Sequence, residues 1–365
     1  MIYISFYILV YFLLQKEYRF PSPNMFIRNV IPILFTLFVG LRGANVGQDT
    51  AVYYQHYYMF GEFGCDFVEP GFDWINRFCY HQGWDSWTLL LICAALTVFF
   101  IYKMLNKLER GEYTISAMFL YCCTFTTLAN GMRQAVVCGI FLYLVSFYFD
   151  KVTYSKKEIF IYIVGILLSS LMHVSVLLLI PVLLLNKVPA NKKIYLIIYV
   201  LSFSFLFYDV SGFLPNISLG NRDYGRYAEN VHIAKASGLG FFATTFLKLL
   251  IFYSMYKYDA FEKCRMLSHF VMFYFILANL SFSIPIINRV SMYFTWFTFI
   301  LIAKLYDEQK RLGKIRPYSI NVWTFIFGCY VVLQVYGIFS TSNHLTPYTT
   351  FWQNNDYQNY IWKEK

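Results

Sequence analysis

Three side chains with the chemistry of a general base sit where this sequence turns between apolar runs. Asp49 lies in Gly47-Gln48-Asp49-Thr50, Glu69 in Glu69-Pro70-Gly71-Phe72, and His173 in Leu171-Met172-His173-Val174-Ser175. Either carboxylate can take a proton from an acceptor hydroxyl or simply neutralise an arginine, and spacing does not choose between them. His173 reads as the histidine most deeply set in apolar sequence, suited to hydrogen-bond a ligand or to act as a base near neutral pH. Arginines accompany these groups: Arg42, Arg133, Arg222, Arg226 and Arg289. A guanidinium is planar, always charged and able to grip phosphate with two hydrogen bonds. Arg133 follows the turn Asn130-Gly131-Met132 and Arg289 follows Asn288, so each is expected at the start of a helix, where free N–H groups also favour an anion. Singly, each arginine is explained by a loop acid or a lipid headgroup; together they read as a pyrophosphate clamp.

These groups must be carried by helices in a membrane. Of 365 residues, 58% are hydrophobic and only 14% charged, too few to cover a soluble protein of this size. Aromatic residues make up 22%, as expected of lipid-facing and interfacial helices. The expected class is all-α, a polytopic transmembrane bundle forming a single membrane domain over 1–365. Apolar windows give about twelve spans: 2–14, 29–41, 87–105, 114–129, 133–149, 159–172, 174–186, 194–208, 238–256, 267–287, 290–306 and 321–339. Several are shorter than a full crossing, so tilted or re-entrant segments are expected near His173. The first run lacks a basic leader and a small-residue cleavage site, so it reads as a retained helix.

Charge sets the orientation. Alternate loops hold 20 of the 30 basic residues against nine acids, while the opposite loops hold nine basic residues and eleven acids. The basic side is expected to be cytoplasmic, with both termini outside. The net charge of +10 is therefore mostly topology, and no nucleic-acid partner is expected. The outer side carries the larger segments: 42–86 and 209–237, with amphipathic helices, and the tail 340–365. Lys248 is the charge placed within a span, where insertion costs about 2.5–3.5 kcal/mol, so it should face the interior of the bundle. Cysteines show no zinc spacing; Cys65 and Cys79, sharing a loop with His81, are the pair that could bond. No metal site and no cofactor is expected.

The motifs together resemble the EpsG-like branch of the Wzy-type bacterial polysaccharide polymerases. The matching stretches are Arg42 through Gly47-Gln48-Asp49 to Tyr53, Glu69-Pro70-Gly71-Phe72, Arg133-Gln134, His173-Val174-Ser175, Asn288-Arg289 with Tyr293, and Pro347-Tyr348 in the tail. The resemblance implies a glycosyltransferase in the bacterial cytoplasmic membrane, working on undecaprenyl-diphosphate-linked repeat units at the outer leaflet. It implies lipid-linked oligosaccharide donor and acceptor, contact with membrane lipids, and a flippase and chain-length regulator in the same pathway. Asp49, Glu69 and His173 are then the catalytic candidates. Arg42, Tyr53, Arg133, Gln134, Arg222, Arg226, Lys248, Arg289, Tyr293 and Tyr348 are the substrate-binding candidates. No Asp-x-Asp pair occurs in the outer loops, which favours a metal-independent reaction. The rival expectations are a flippase for the same lipids and a membrane acyltransferase.

Overall fold

A backbone surrounded by hydrocarbon must satisfy its own N–H and C=O groups, and the apolar runs do so as helices. The computed structural model describes residues 2–66, 68–151, 153–206, 239–284, 286–315, 321–340 and 344–353, with the backbone of 218–219 and 222–223. Among these the protein is helical, apart from a short antiparallel pairing of Ser218–Leu219 with Arg222–Asp223. Arg226 and the side chain of Arg222 lie outside the described residues.

The chain forms two compact units. The first is Met1–Ser146, Ser155–Ile180 and Gln334–Lys365; the second is Phe147–Tyr154 and Pro181–Leu333. In the first unit run α1 (Ile2–Arg19), α2 (Met25–Gly40), α3 (Thr50–Phe63), α4 (Pro70–His81), α5 (Ser86–Leu105), α6 (Arg110–Cys123), α7 (Phe125–Asn130), α8 (Met132–Val145) and α9 (Lys156–Ser170). Helix α5 is the hub, packed on α2 and α8, with Leu90, Ala94, Ile101 and Leu105 buried on its faces. Helices α3 and α4 pack on one another and carry the acidic motifs. Helix α9 opens with a capping box, in which Ser155 and Glu158 satisfy each other's backbone N–H groups.

At one end of this unit a buried acid gathers arginines. Glu17 is fully buried and pairs with Arg28 at 2.8 Å, and Arg110 donates to the Glu17 carbonyl oxygen. The Arg28 guanidinium also lies 3.8 Å from the centre of the Tyr113 ring. This ties α1 to α2 and α6.

The second unit holds α10 (Lys192–Ser202), α11 (Leu239–Lys257), α12 (Ala260–Lys263), α13 (Arg265–Leu280), α14 (Ile286–Arg311) and most of α15 (Val322–Phe339). Helix α13 lies along α14, with Phe270 against Phe297 at 4.6 Å between ring centres. Lys248 is buried on α11, as its position in the sequence requires, and donates to Asn279 at 3.2 Å; Asn279 donates to Ser202 at 2.8 Å.

Among the described residues, helices α5, α14 and α15 are long and apolar enough to cross a membrane, and four further apolar helices are shorter. Several boundaries move. The run 114–129 breaks at Thr124, whose hydroxyl bonds back to the Leu120 carbonyl, so α6 ends and α7 begins there. The run 174–186 is a 3-10 helix over Val174–Lys187 and contains Pro181, which cannot supply an α-helical N–H. The run 194–208 leaves the α-helix at Ser202, and the first run continues to Arg19. Cys65 and Cys79 carry free thiols.

Replacing Arg28 with alanine leaves the Glu17 carboxylate buried without its closest partner. Loss of one member of a buried pair costs about 3–5 kcal/mol. The Arg28→Ala protein should melt well below the wild type in detergent, read by thermal unfolding.

Candidate functional site

Glu69 is the residue on which this site is built. It immediately precedes α4, in extended conformation, with Pro70 at the first helical position where no N–H is needed. Its carboxylate does not cap its own helix. Oε2 accepts from Arg133 Nη1 at 2.5 Å, and Oε1 accepts from the Val174 N–H at 3.1 Å. The His173 Nδ1 also lies 3.1 Å from Oε1, but out of line for a hydrogen bond. Glu69 is 3% exposed and His173 6% exposed, while the Arg133 side chain is 24% exposed, so a buried acid and histidine are joined by an arginine that reaches toward the surface. Burial in low dielectric makes the ion pair far more demanding than a surface one, since a missing partner would strand a charge.

The rest of the Glu-Pro-Gly-Phe motif has a defined task at each position. The Gly71 N–H donates to the Leu171 carbonyl at 2.8 Å, and a Cβ added there would come within 2.7 Å of that oxygen. Only glycine lets α4 meet the 171–174 turn this closely. Phe72 is buried beneath the Arg133 guanidinium, 5.4 Å from ring centre to Cζ, and meets the Tyr53 ring edge-on at 5.9 Å. Burial raises the Tyr53 hydroxyl pKa, opposed by the neighbouring Arg133 charge.

Arg133 is the second residue of α8, as expected from its turn. That turn is held by the loop before α3. Gly47, with φ +95, sits so close to Ala129 that a Cβ would meet its carbonyl oxygen at 2.7 Å, and the Gln48 N–H donates to Asn130 Oδ1 at 2.7 Å. Asp49 precedes α3 directly, and the Tyr53 N–H closes the first turn onto its carbonyl at 3.0 Å. Asp49 raises the Tyr53 pKa further, so the two face the same neighbourhood.

Arg42 is wholly buried. Its guanidinium donates to Val39 O at 2.8 Å, Leu128 O at 3.2 Å and Thr50 Oγ1 at 3.0 Å. Those carbonyls belong to the last turns of α2 and α7, where helix dipoles favour a cation. Burial lowers the Arg42 pKa, and the hydroxyls of Tyr54 and Tyr348 raise it. The tail docks on the same loop: Gly43 donates to Thr349 O at 2.8 Å, Phe351 to Leu41 O at 3.0 Å, and Tyr348 through its hydroxyl to Phe38 O at 2.7 Å. The Tyr348 hydroxyl is pushed up to about 12 by burial.

The structure therefore brings Tyr53, Glu69, Arg133 and His173 together, with Asp49 beside Tyr53. Gln134 is buried next in sequence, while Arg42 and Tyr348 sit behind, in the same unit. Lys248, Arg289 and Tyr293 belong to the second unit, Arg289 in the first turn of α14 and Tyr293 buried. His173 is not singular in its burial: His269, in Ser268-His269-Phe270, is 1% exposed, with Nε2 on the Val188 carbonyl at 2.9 Å and Nδ1 on the Tyr195 hydroxyl. Phe72 and the Val174 N–H were not legible as site groups, because a cation–ring contact and a backbone donor leave no motif of their own.

A helical chain with spans long and apolar enough for a bilayer, holding a buried acid and histidine joined by a half-buried arginine, defines a membrane protein with the makings of an acid–base site. The chain belongs to the EpsG family, a Wzy-like polysaccharide polymerase family, whose model matches residues 25–350. That membership implies a glycosyltransferase-type polymerase acting on lipid-linked sugars. No curated protein and no solved structure matches the chain.

A methyl at position 71 must push α4 off the Leu171 carbonyl and draw Glu69 away from Val174 and His173. Overpacking of this kind costs about 1–3 kcal/mol. Gly71→Ala should leave protein level in membranes near normal and abolish long-chain polysaccharide, checked by immunoblot and by glycan gel of the same cells.

Proposed function

We propose that this protein polymerises undecaprenyl-diphosphate-linked oligosaccharide repeat units at the outer leaflet of the bacterial cytoplasmic membrane. The observation that carries the proposal is the buried Glu69 carboxylate shared by Arg133 and the His173–Val174 turn, in a chain of the EpsG family. In the reaction an acceptor hydroxyl oxygen attacks the anomeric carbon of the donor glycan. The anomeric C–O bond to phosphate breaks, and lipid diphosphate leaves with the electron pair.

Two tasks follow: charge must be stabilised on the departing diphosphate, and one proton must leave the acceptor hydroxyl. Arg133 and Tyr53 suit the first, as a preorganised pair of donors in a low-dielectric site. His173 suits the second. It is buried, and neither ring nitrogen has a hydrogen-bond partner among the described residues, whereas both Glu69 oxygens are engaged. Glu69 then orients Arg133 directly and places His173 through the Val174 N–H, and Asp49 assists Tyr53. Arg42 contributes through its buried charge, Tyr348 by holding the tail on α2, and Gln134 as the buried residue beside Arg133. Lys248, Arg289 and Tyr293 in the second unit, with Arg222 and Arg226, are proposed as further anion and glycan contacts. A chain-length regulator and a flippase would be partners in the same pathway.

The test is reconstitution with a synthetic lipid-diphosphate-linked repeat unit, followed by gel analysis. The wild type should give a polymer ladder, and His173→Gln should slow it by about 10²–10⁴, the usual worth of a general base. A ladder from His173→Gln at the wild-type rate would remove His173 as the base. Transport of the unit across the bilayer with no ladder would replace polymerisation by flipping.

A further inference from the structure

Apart from the acid–arginine–histidine cluster, the second unit holds a cleft of about 350 Å³. It is lined by Lys192 and Lys193, which open α10, by Tyr256 from the last turn of α11, and by Asp259 and Glu262 from the turn and short helix that follow. Two lysines and two acidic residues thus line one small space. None of the four is ion-paired among the described residues. Lys192 instead places its ammonium 4.5 Å from the centre of the Tyr256 ring. Asp259 takes a left-handed conformation, φ 55, which costs a non-glycine residue energy and fixes the turn that carries it. The first N–H groups of α10 are already taken, since the Asn191 side chain accepts from Lys193 N at 2.9 Å and Ile194 N at 3.2 Å. The charge on offer is therefore that of the side chains.

Opposite charges held apart in one cleft suit a ligand that carries both signs. A purely anionic group would meet the two carboxylates, and a purely cationic one the two lysines. Apolar side chains continue from the cleft along both helices: Ile194, Ile197 and Leu201 are exposed on α10, and Phe246, Leu249 and Tyr253 on α11. In a membrane protein such faces lie against acyl chains. The ligand is then an amphiphile, with its head at the polar ends of these helices and its chains beside them.

We propose that this cleft binds one phospholipid with a primary-amine zwitterionic headgroup of the phosphoethanolamine kind. The phosphate meets Lys192 and Lys193, and the amine donates to Asp259 and Glu262. A primary ammonium is required because a carboxylate pair is satisfied by N–H donors. A quaternary ammonium has none and seeks an aromatic face, and the Tyr256 face is occupied by Lys192.

The experiment uses the purified full chain in detergent and reads binding by native mass spectrometry. The probes are phosphatidylethanolamine, phosphatidylcholine and phosphatidylglycerol with identical acyl chains, and soluble phosphoethanolamine. Phosphatidylethanolamine should bind tightest. Lys192→Ala with Lys193→Ala, and separately Asp259→Asn with Glu262→Gln, should each weaken it about tenfold, the worth of one charge-assisted hydrogen bond or more. An unchanged melting temperature without added lipid shows that the variants fold. Equal or tighter binding of phosphatidylglycerol overturns the proposal in favour of a plain basic patch, and equal binding of phosphatidylcholine removes the amine contact. Soluble phosphoethanolamine binding as tightly as the lipid would make the ligand a small phosphate ester. Polymerisation does not enter the readout, so the result stands whatever becomes of the proposed activity.

Discussion

One buried carboxylate organises the first unit. Glu69 is 3% exposed, and its two oxygens are met by a guanidinium from the start of α8 and a backbone N–H from the turn after α9. A buried charge in low dielectric tolerates no missing partner, so three separated segments must arrive together. The neighbouring features serve that requirement. Pro70 starts α4 directly after the acid, Gly71 allows contact with the Leu171 carbonyl, and Phe72 supports the arginine from below. Gly47 and Gln48 hold the Ala129–Asn130 turn that leads into α8.

A second buried charge, Arg42, is satisfied differently. It has no carboxylate within ion-pair distance among the described residues and rests on the carbonyl ends of α2 and α7. This joins the loop before α3 to both helices, and the tail closes over the same loop through Thr349, Thr350 and Phe351. The arrangement places a fixed positive charge in the unit that holds Glu69 and Arg133, without offering its own guanidinium to solvent.

Much of the site could be read from residue type and spacing. The turn before Arg133, the start of α4 at Pro70 and the one-turn separation of Asp49 from Tyr53 all follow from local rules, and the structure has them. What spacing could not choose was the division of labour between the acids. That depends on which carboxylate meets Arg133 across 64 residues of sequence, a tertiary fact. The helix ends were less legible for a similar reason. Thr124 interrupts one apolar run, and the run containing Pro181 is 3-10 rather than α-helical, differences to which hydropathy is blind because a single back-bonding hydroxyl or a missing N–H does not change the mean. His269 shows the limit of reading burial from neighbours: its flanking sequence includes Ser268 and Arg265, yet it is as deeply buried as His173.

The proposed site requires Glu69 and Arg133 to act as one unit in glycan polymerisation. This can be read from a double-mutant cycle on the reconstituted polymerisation rate, using Glu69→Gln, Arg133→Met and the double variant. Residues that act together are strongly non-additive, so the double variant should be no slower than the worse single one. Losses that multiply, each variant contributing its full effect independently, would show that the two residues act separately.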